Sequence, residues 1–348
     1  MSLFANNALG NTTGRQNWRS TCGNASPVIV AMLLYSVTLY GGTSEKTGTL
    51  PAIMAAPISY VLAMYLYYGI ARLTFERQAL WLFVGAFVAI GLSCVLIGAN
   101  QLLMTLAGWG ALLGGGVVSG YMSLRGYRPR TVFGISLAVL FAMTIVQFFP
   151  LWQDILSTAH ETTLMLVEEA RTQLTAIGES PERIRKGLES FQLLVGIAMR
   201  LIPAEMLLGT AVQFTVGYVA FIYWIERNKL APPQQVPFMY WKIPFSVMPI
   251  LIVFAALRLL GGESLRLIAD NALAILAVFY SVAGLALVEY YLKKIRLSLL
   301  MRILFYIMLL LSPLVSLTFS LVLGSAIALA GFADSFADWR KLRLHELR

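Results

Sequence analysis

Apolar residues in this chain arrive in long blocks, at 27–41, 51–71, 79–98, 102–123, 131–150, 194–225, 245–261, 268–291 and 299–331. No other feature restricts the possible folds as much. A hydrocarbon layer about 30 Å thick is crossed by about 20 apolar residues in a helix, and within it every backbone N–H and C=O must be bonded inside the segment. With 58% hydrophobic and 12% charged residues and a mean hydropathy of +0.75, the chain is read as an all-α, polytopic helical integral membrane protein. The passages number eight to ten. The range comes from the last block, which is overlong and carries Pro313 near its middle, where a proline breaks or kinks a helix. A broken pair there would return the basic end of the chain to the side on which it began.

Charge on the loops sets the orientation. Arg72 and Arg77, then Arg125, Arg128 and Arg130, then Arg227, Lys229 and Lys242, then Lys293, Lys294, Arg296 and Arg302 fall on alternate loops, whereas the intervening short loops hold Lys46 and Arg266. Lys and Arg accumulate on the cytoplasmic side of bacterial membrane proteins, so the N-terminus is placed inside a bacterial cytoplasmic membrane. The net charge of +9 is explained by this bias, and nucleic-acid binding is not expected. Residues 1–26 are polar, so the first span rather than a cleaved signal serves as the anchor. The resulting division is a polar tail (1–26), a five-helix membrane half (27–150), a polar insert (151–193), a second membrane half (194–331) and a basic tail (332–348).

The insert is the one long central segment a bilayer would reject. Trp152, Ile155, Ala159, Leu166, Ala170, Leu174 and Ile177 recur three, four or seven apart, as on one face of a helix. Gly178-Glu179-Ser180-Pro181-Glu182 supplies a stop, a cap and a new start. Ile184, Leu188, Phe191, Val195, Ala198 and Ile202 then keep a heptad-like alternation. The pattern predicts an extracytoplasmic helical hairpin whose second arm runs on into the next span. Seven acids against four bases in 151–193 suit that side of the membrane. Trp152, Ile155, Leu166, Leu174, Ile184, Leu188 and Phe191 are the expected contacts with a partner or a second copy.

Two further sets stand out. Ala107, Gly110, Ala111, Gly114, Gly115, Gly116 and Gly120 leave almost no side chain on one face of the fourth span, and small residues four apart let helix backbones approach closely. Packing within the chain and a groove for a partner helix both fit. Ionisable and polar residues at span edges are the default functional candidates in lipid. Arg200 and Glu205 flank Pro203, and Asp270 with Asn271 opens a later span, so these four form a candidate pocket. A helix cap accounts equally for Asp270 and Asn271. Glu289, four residues before Lys293, reads as a solvated pair.

Catalytic patterns are missing. No phosphate loop, HExxH, GxSxG or intramembrane aspartate pair occurs, and Cys22, Cys94, His160 and His345 make no metal set. No enzymatic activity, cofactor or metal is expected.

One resemblance is carried by Pro237-Phe238-x-x-Trp241-x-x-Pro244 before a span, Asn271 and Gly284 in the next, and the ending Gly331-Phe332-x-Asp334-x-Phe336-x-Asp338-Trp339-Arg340-Lys341. The set resembles the YybS-like family of predicted bacterial membrane proteins, whose biochemical role is unassigned. The resemblance further implies a distant similarity between the N-terminal spans and the substrate-binding S-components of energy-coupling-factor vitamin transporters, with Ala52 and Ala56 at an Ala-x-x-x-Ala docking pair. With heptad-like apolar faces on both hairpin arms and no catalytic set, the function expected is assembly or scaffolding through the hairpin, in a homo-oligomer or a membrane complex. The alternative is a small-molecule binding or transport subunit.

Overall fold

A computed structural model describes residues 18–40, 52–97, 102–149, 152–177, 181–230, 237–315, 317–337 and 339–340. Eleven α-helices lie among the described residues: α1 Trp18–Tyr40, α2 Ala52–Phe75, α3 Ala79–Ile97, α4 Leu102–Leu124, α5 Pro129–Phe148, α6 Trp152–Ala176, α7 Pro181–Arg227, α8 Met248–Leu260, α9 Glu263–Lys294, α10 Leu299–Val315 and α11 Leu317–Ala337. Among the described residues, four stretches are long and apolar enough to cross a membrane, Pro129–Phe148, Glu182–Arg227, Glu263–Lys294 and Ser320–Ala337, and shorter apolar helices accompany them. The first helix starts at Trp18 and contains Pro27, so part of what reads as a polar tail is helical. Ala52 and Ala56 lie in α2, with side chains outside the described residues.

The chain divides into two compact units, residues 1–155 with 207–234 and residues 156–206 with 235–348. Helix α7, 47 residues long, contributes to both, because no break in its backbone pattern separates the polar arm from the span.

The first unit is held by large apolar side chains and by the glycines of α4. Trp109, Phe214, Phe221, Met32, Leu66, Ile70 and Leu140 are fully buried. Tyr67, Phe133 and Tyr218 stack around Phe214 with ring centroids 5.4, 5.7 and 5.7 Å away. A Cβ on Gly116 would lie 2.7 Å from Ile70 of α2, and one on Gly120 would strike the Ala71 carbonyl and the Thr74 Cβ. Gly114 faces Val139 and Met143 of α5, Gly110 faces Met143, and Gly115 lies against Tyr67 and Phe214. Ala111 is buried, and the Ala107 side chain lies outside the described residues. The small-residue stripe thus faces α2, α5 and α7 of its own chain, and its glycines are used in close helix packing. Buried hydroxyls add bonds between helices, from Ser119 to Ser136 at 3.0 Å and from Ser36 to the Ala89 carbonyl at 3.2 Å.

In the second unit α9 is central. Gly284 of α9 and Gly331 of α11 meet backbone to backbone. A Cβ on Gly284 would collide with the Ile327 carbonyl, and one on Gly331 with the Tyr280 carbonyl. The end of the chain turns back here. Arg302 and Tyr306, early in α10, bond Glu289 near the end of α9. Phe336, late in α11, packs edge-on against Phe245 at 5.5 Å, and Tyr240 of the preceding loop packs against Tyr290 of α9 at 6.4 Å. The start of α10 and the end of α11 therefore both lie at the C-terminal end of α9, and the final apolar block is an outward-and-return pair of helices.

Four helices end alike. After α2, α4, α7 and α9 a residue of positive φ follows the last turn, Arg77 (60°), Gly126 (76°), Lys229 (54°) and Arg296 (59°). The next N–H reaches back five residues each time: Gln78 to Leu73, Tyr127 to Met122, Leu230 to Ile225 and Leu297 to Leu292. This is the six-to-one bond of a Schellman cap, which satisfies carbonyls the helix end leaves open.

Candidate functional site

The polar insert forms two helical arms, α6 (25 residues) and the first half of α7. The Thr163 hydroxyl donates to the Met199 sulfur at 3.3 Å, which sets an antiparallel register. Half-buried positions follow it: Thr163, Val167, Ala170 and Leu174 on α6, and Ile184, Leu188, Phe191, Val195 and Met199 on α7. Both runs step by four and three, so they form the seam between the arms. Of the sequence-predicted hairpin contacts, Leu174, Ile184, Leu188 and Phe191 are in this half-buried set, while the side chains of Trp152, Ile155 and Leu166 lie outside the described residues. Ile177 and Ala198 are exposed instead. A second set of apolar side chains stays off the seam: Leu164 is 57% exposed, Met165 71%, Leu193 65% and Ile197 49%. The outward faces carry pairs such as Lys186–Glu182 at 3.1 Å and Arg185–Glu189 at 3.7 Å.

Where the second arm meets its span, Pro203 sits inside α7. A proline lacks the N–H for the rung to residue 199 and crowds the preceding carbonyls, so the ladder opens locally. Asn271 of α9 fills the opening. Its Oδ1 accepts from the Ala204 N–H at 2.9 Å, and its Nδ2 donates to the Arg200 carbonyl at 2.8 Å and to the Leu267 carbonyl at 2.8 Å. Ala204 and Arg200 are the two ends of one helical rung, and the buried carboxamide bonds both.

This geometry corrects the four-residue pocket. Asn271 engages the backbone of Arg200, not its side chain. Asp270 turns to Arg258 of α8 at 2.5 Å. Arg200 and Glu205 are both exposed, and five residues along a helix set them about 140° apart around its axis. Nor do Asp270 and Asn271 open a helix, since α9 begins at Glu263. The sequence hid this because a helix start is read from caps, and Gly261-Gly262 lies further upstream than the apolar block suggested.

The C-terminal motif does come together. Arg340, which follows α11, is fully buried and donates twice to Asp334 Oδ2, from Nε at 3.1 Å and Nη2 at 2.6 Å. It also donates to the carbonyls of Met239 at 2.6 Å and Trp241 at 2.8 Å. One guanidinium thus ties the end of α11 to the loop holding Pro237, Phe238, Trp241 and Pro244. That loop is two single-turn 3-10 helices, Phe238–Tyr240 and Phe245–Val247, as its prolines require, because each fixes φ and removes a donor. Asp338 lies outside the described residues.

Sequence reasoning missed the role of Glu289. It is buried, not a solvated partner of Lys293: it accepts from Arg302 and from the Tyr306 hydroxyl at 3.1 Å, with Lys293 at 3.5 Å. The signal available was Arg302 alone, a cation four residues into an apolar helix.

Long apolar helices, glycine-mediated crossings and buried polar side chains spent on helix backbones define a polytopic helical membrane protein. Residues 50–326 match the family of predicted membrane proteins designated DUF2232, and the chain belongs to that family. No curated protein matches it. No solved structure matches it either.

Proposed function

We propose that this chain is a non-catalytic protein of the bacterial cytoplasmic membrane, with its N-terminus inside, which assembles with a second copy or a membrane partner through the external arms of α6 and α7. The observation that supports this reading is the division of apolar side chains on the arms. One set is spent on the seam. The other, Leu164 and Met165 on α6 and Leu193 on α7, is left more than half exposed on helices that carry charged pairs elsewhere, whereas Ile197 already falls in the apolar block that starts at 194. Large apolar side chains left exposed on otherwise polar helices suit a contact surface. The Asn271 bracket at Pro203 adds a fixed mount, because an arm anchored to α9 presents its surface in one orientation.

The test is the stoichiometry of the full chain purified in mild detergent. The expected result is one defined oligomer, converted to smaller species by L164E/M165E, whose charges fall off the half-buried face and inside the polar arm. A monomeric wild type that retains a co-purifying metabolite would overturn assembly in favour of a binding or transport subunit.

A further inference from the structure

The end of α9 and the loop held by Arg340 form a patch that the arms do not involve. From 237 to 244 and from 289 to 302 the sequence carries five cations, Lys242, Lys293, Lys294, Arg296 and Arg302, against one carboxylate, Glu289. Glu289 takes up Arg302, with Lys293 nearby. The aromatic groups lie at the same level, since Tyr240 packs on Tyr290. Phe238 and Trp241 pair edge-on at 5.6 Å, and each is 38% exposed. Lys294 lies over the Tyr291 ring, 5.7 Å from its centroid.

The loop that carries Trp241 and Lys242 is fixed in place by a buried guanidinium that bonds the carbonyls of both Met239 and Trp241. Arg296 closes the Schellman cap of α9 with φ 59°, as Arg77 and Lys229 close two others.

We infer that this face of the second unit is a binding site for anionic phospholipid headgroups, with Lys242, Lys294 and Arg296 meeting the phosphate and Trp241 and Tyr291 seated at headgroup depth. Amphipathic rings favour the membrane–water interface, and basic residues beside a membrane helix attract anionic lipid. The charge excess selects an anion. Exposed rings beside an apolar helix end select one carried by a lipid rather than free in solution. Arg340 and Asp334 act as positioning residues for the loop and do not touch the headgroup.

The experiment uses the full chain in phosphatidylcholine vesicles. It reads tryptophan quenching by brominated phosphatidylglycerol against brominated phosphatidylcholine, with W241F subtracted to isolate Trp241 among the seven tryptophans. Half-quenching by the anionic lipid is expected at a mole fraction at least about fivefold lower, since about 1 kcal/mol per basic side chain near the surface is about fivefold for one such residue and the site holds three. K294Q/R296Q should abolish the difference and K242Q should reduce it. R125Q/R128Q, which removes equal charge from the loop after α4, should leave it intact. Equal quenching by both lipids overturns the proposal, as does equal loss in R125Q/R128Q, which would mean net charge alone. Displacement by soluble glycerol phosphate would also overturn it, because the site would then serve a free anion.

Discussion

At the residue scale, two side chains carry more than their own contacts. Asn271 bonds both ends of an opened rung, so N271A leaves a buried N–H and a buried carbonyl unmade, a loss of about 1–3 kcal/mol of stability. Its origin is checked by a double-mutant cycle. In a P203A background the helix can close its own rungs, so N271A should cost measurably less in thermal unfolding in detergent. Equal cost in both backgrounds would mean that the amide does not serve the proline. Arg340 is different, because its partner is a charge. R340Q strands the Asp334 carboxylate in a fully buried position, and breaking a buried pair from one side costs about 3–5 kcal/mol. R340Q/D334N, which strands no charge, should recover a large part of that loss. Neither role was fully legible from sequence. Asp334, Arg340, Phe238 and Trp241 could be marked as one set, but that the arginine would reach the loop carbonyls of Met239 and Trp241 depends on α11 returning to the end of α9. Asn271 was visible as a polar residue in an apolar block, while its partner was a backbone rung 67 residues earlier, which no local pattern encodes.

At the element scale, glycine spacing was the most legible signal and its consequences are the most sharply testable. The stripe on α4 announced close packing, and α2, α5 and α7 supply it. The crossing of α9 and α11 rests on Gly284 and Gly331, single residues with no repeat around them, so sequence gave them no prominence beyond the family resemblance. A methyl at either meets a backbone carbonyl that cannot turn aside. G284A and G331A should each destabilise by about 1–3 kcal/mol, the usual range for overpacking. G324A, on the same α11 with open space around its Cα, should be neutral or slightly stabilising, since alanine outranks glycine in a helix by about 1 kcal/mol. Losses of similar size at Gly324 would show that helix propensity rather than the crossing governs this pair. Helix ends were harder to read. A glycine marks a Schellman cap in sequence, but Arg77, Lys229 and Arg296 fill three of the four such positions, and the basic character that identified those loops also concealed how the helices stop.

At the scale of the whole molecule, two physical regularities fall on the same loops. The loops rich in Lys and Arg were assigned to one side from charge alone, and the four Schellman caps fall on the helices that precede those same loops. Basic residues after a helix C-terminus also complement the negative end of its dipole, so the same side chains answer both to the membrane and to the helix. The polar arm stood out from the sequence because a bilayer would reject it. The fate of the last apolar block was not legible, because a proline inside a long hydrophobic run signals a kink and a full reversal equally well. α10 and α11 reverse, so the start of α10 and the end of α11 lie at the same end of the second unit as Lys293 and Lys294, and the topology we propose puts that end in the cytoplasm. This threading has a direct readout in a chain carrying C22S/C94S. A single cysteine at Ser180, between the arms, should react with a membrane-impermeant maleimide in intact cells. Cysteines at Ser298, before α10, and at His345, beyond α11, should react only after the membrane is opened. Labelling of position 345 in intact cells while 298 stays protected would mean that α10 and α11 together cross once. Protection of position 180 with exposure of 298 would invert the protein, and the assembly role of the arms would then have to be sought on the cytoplasmic side.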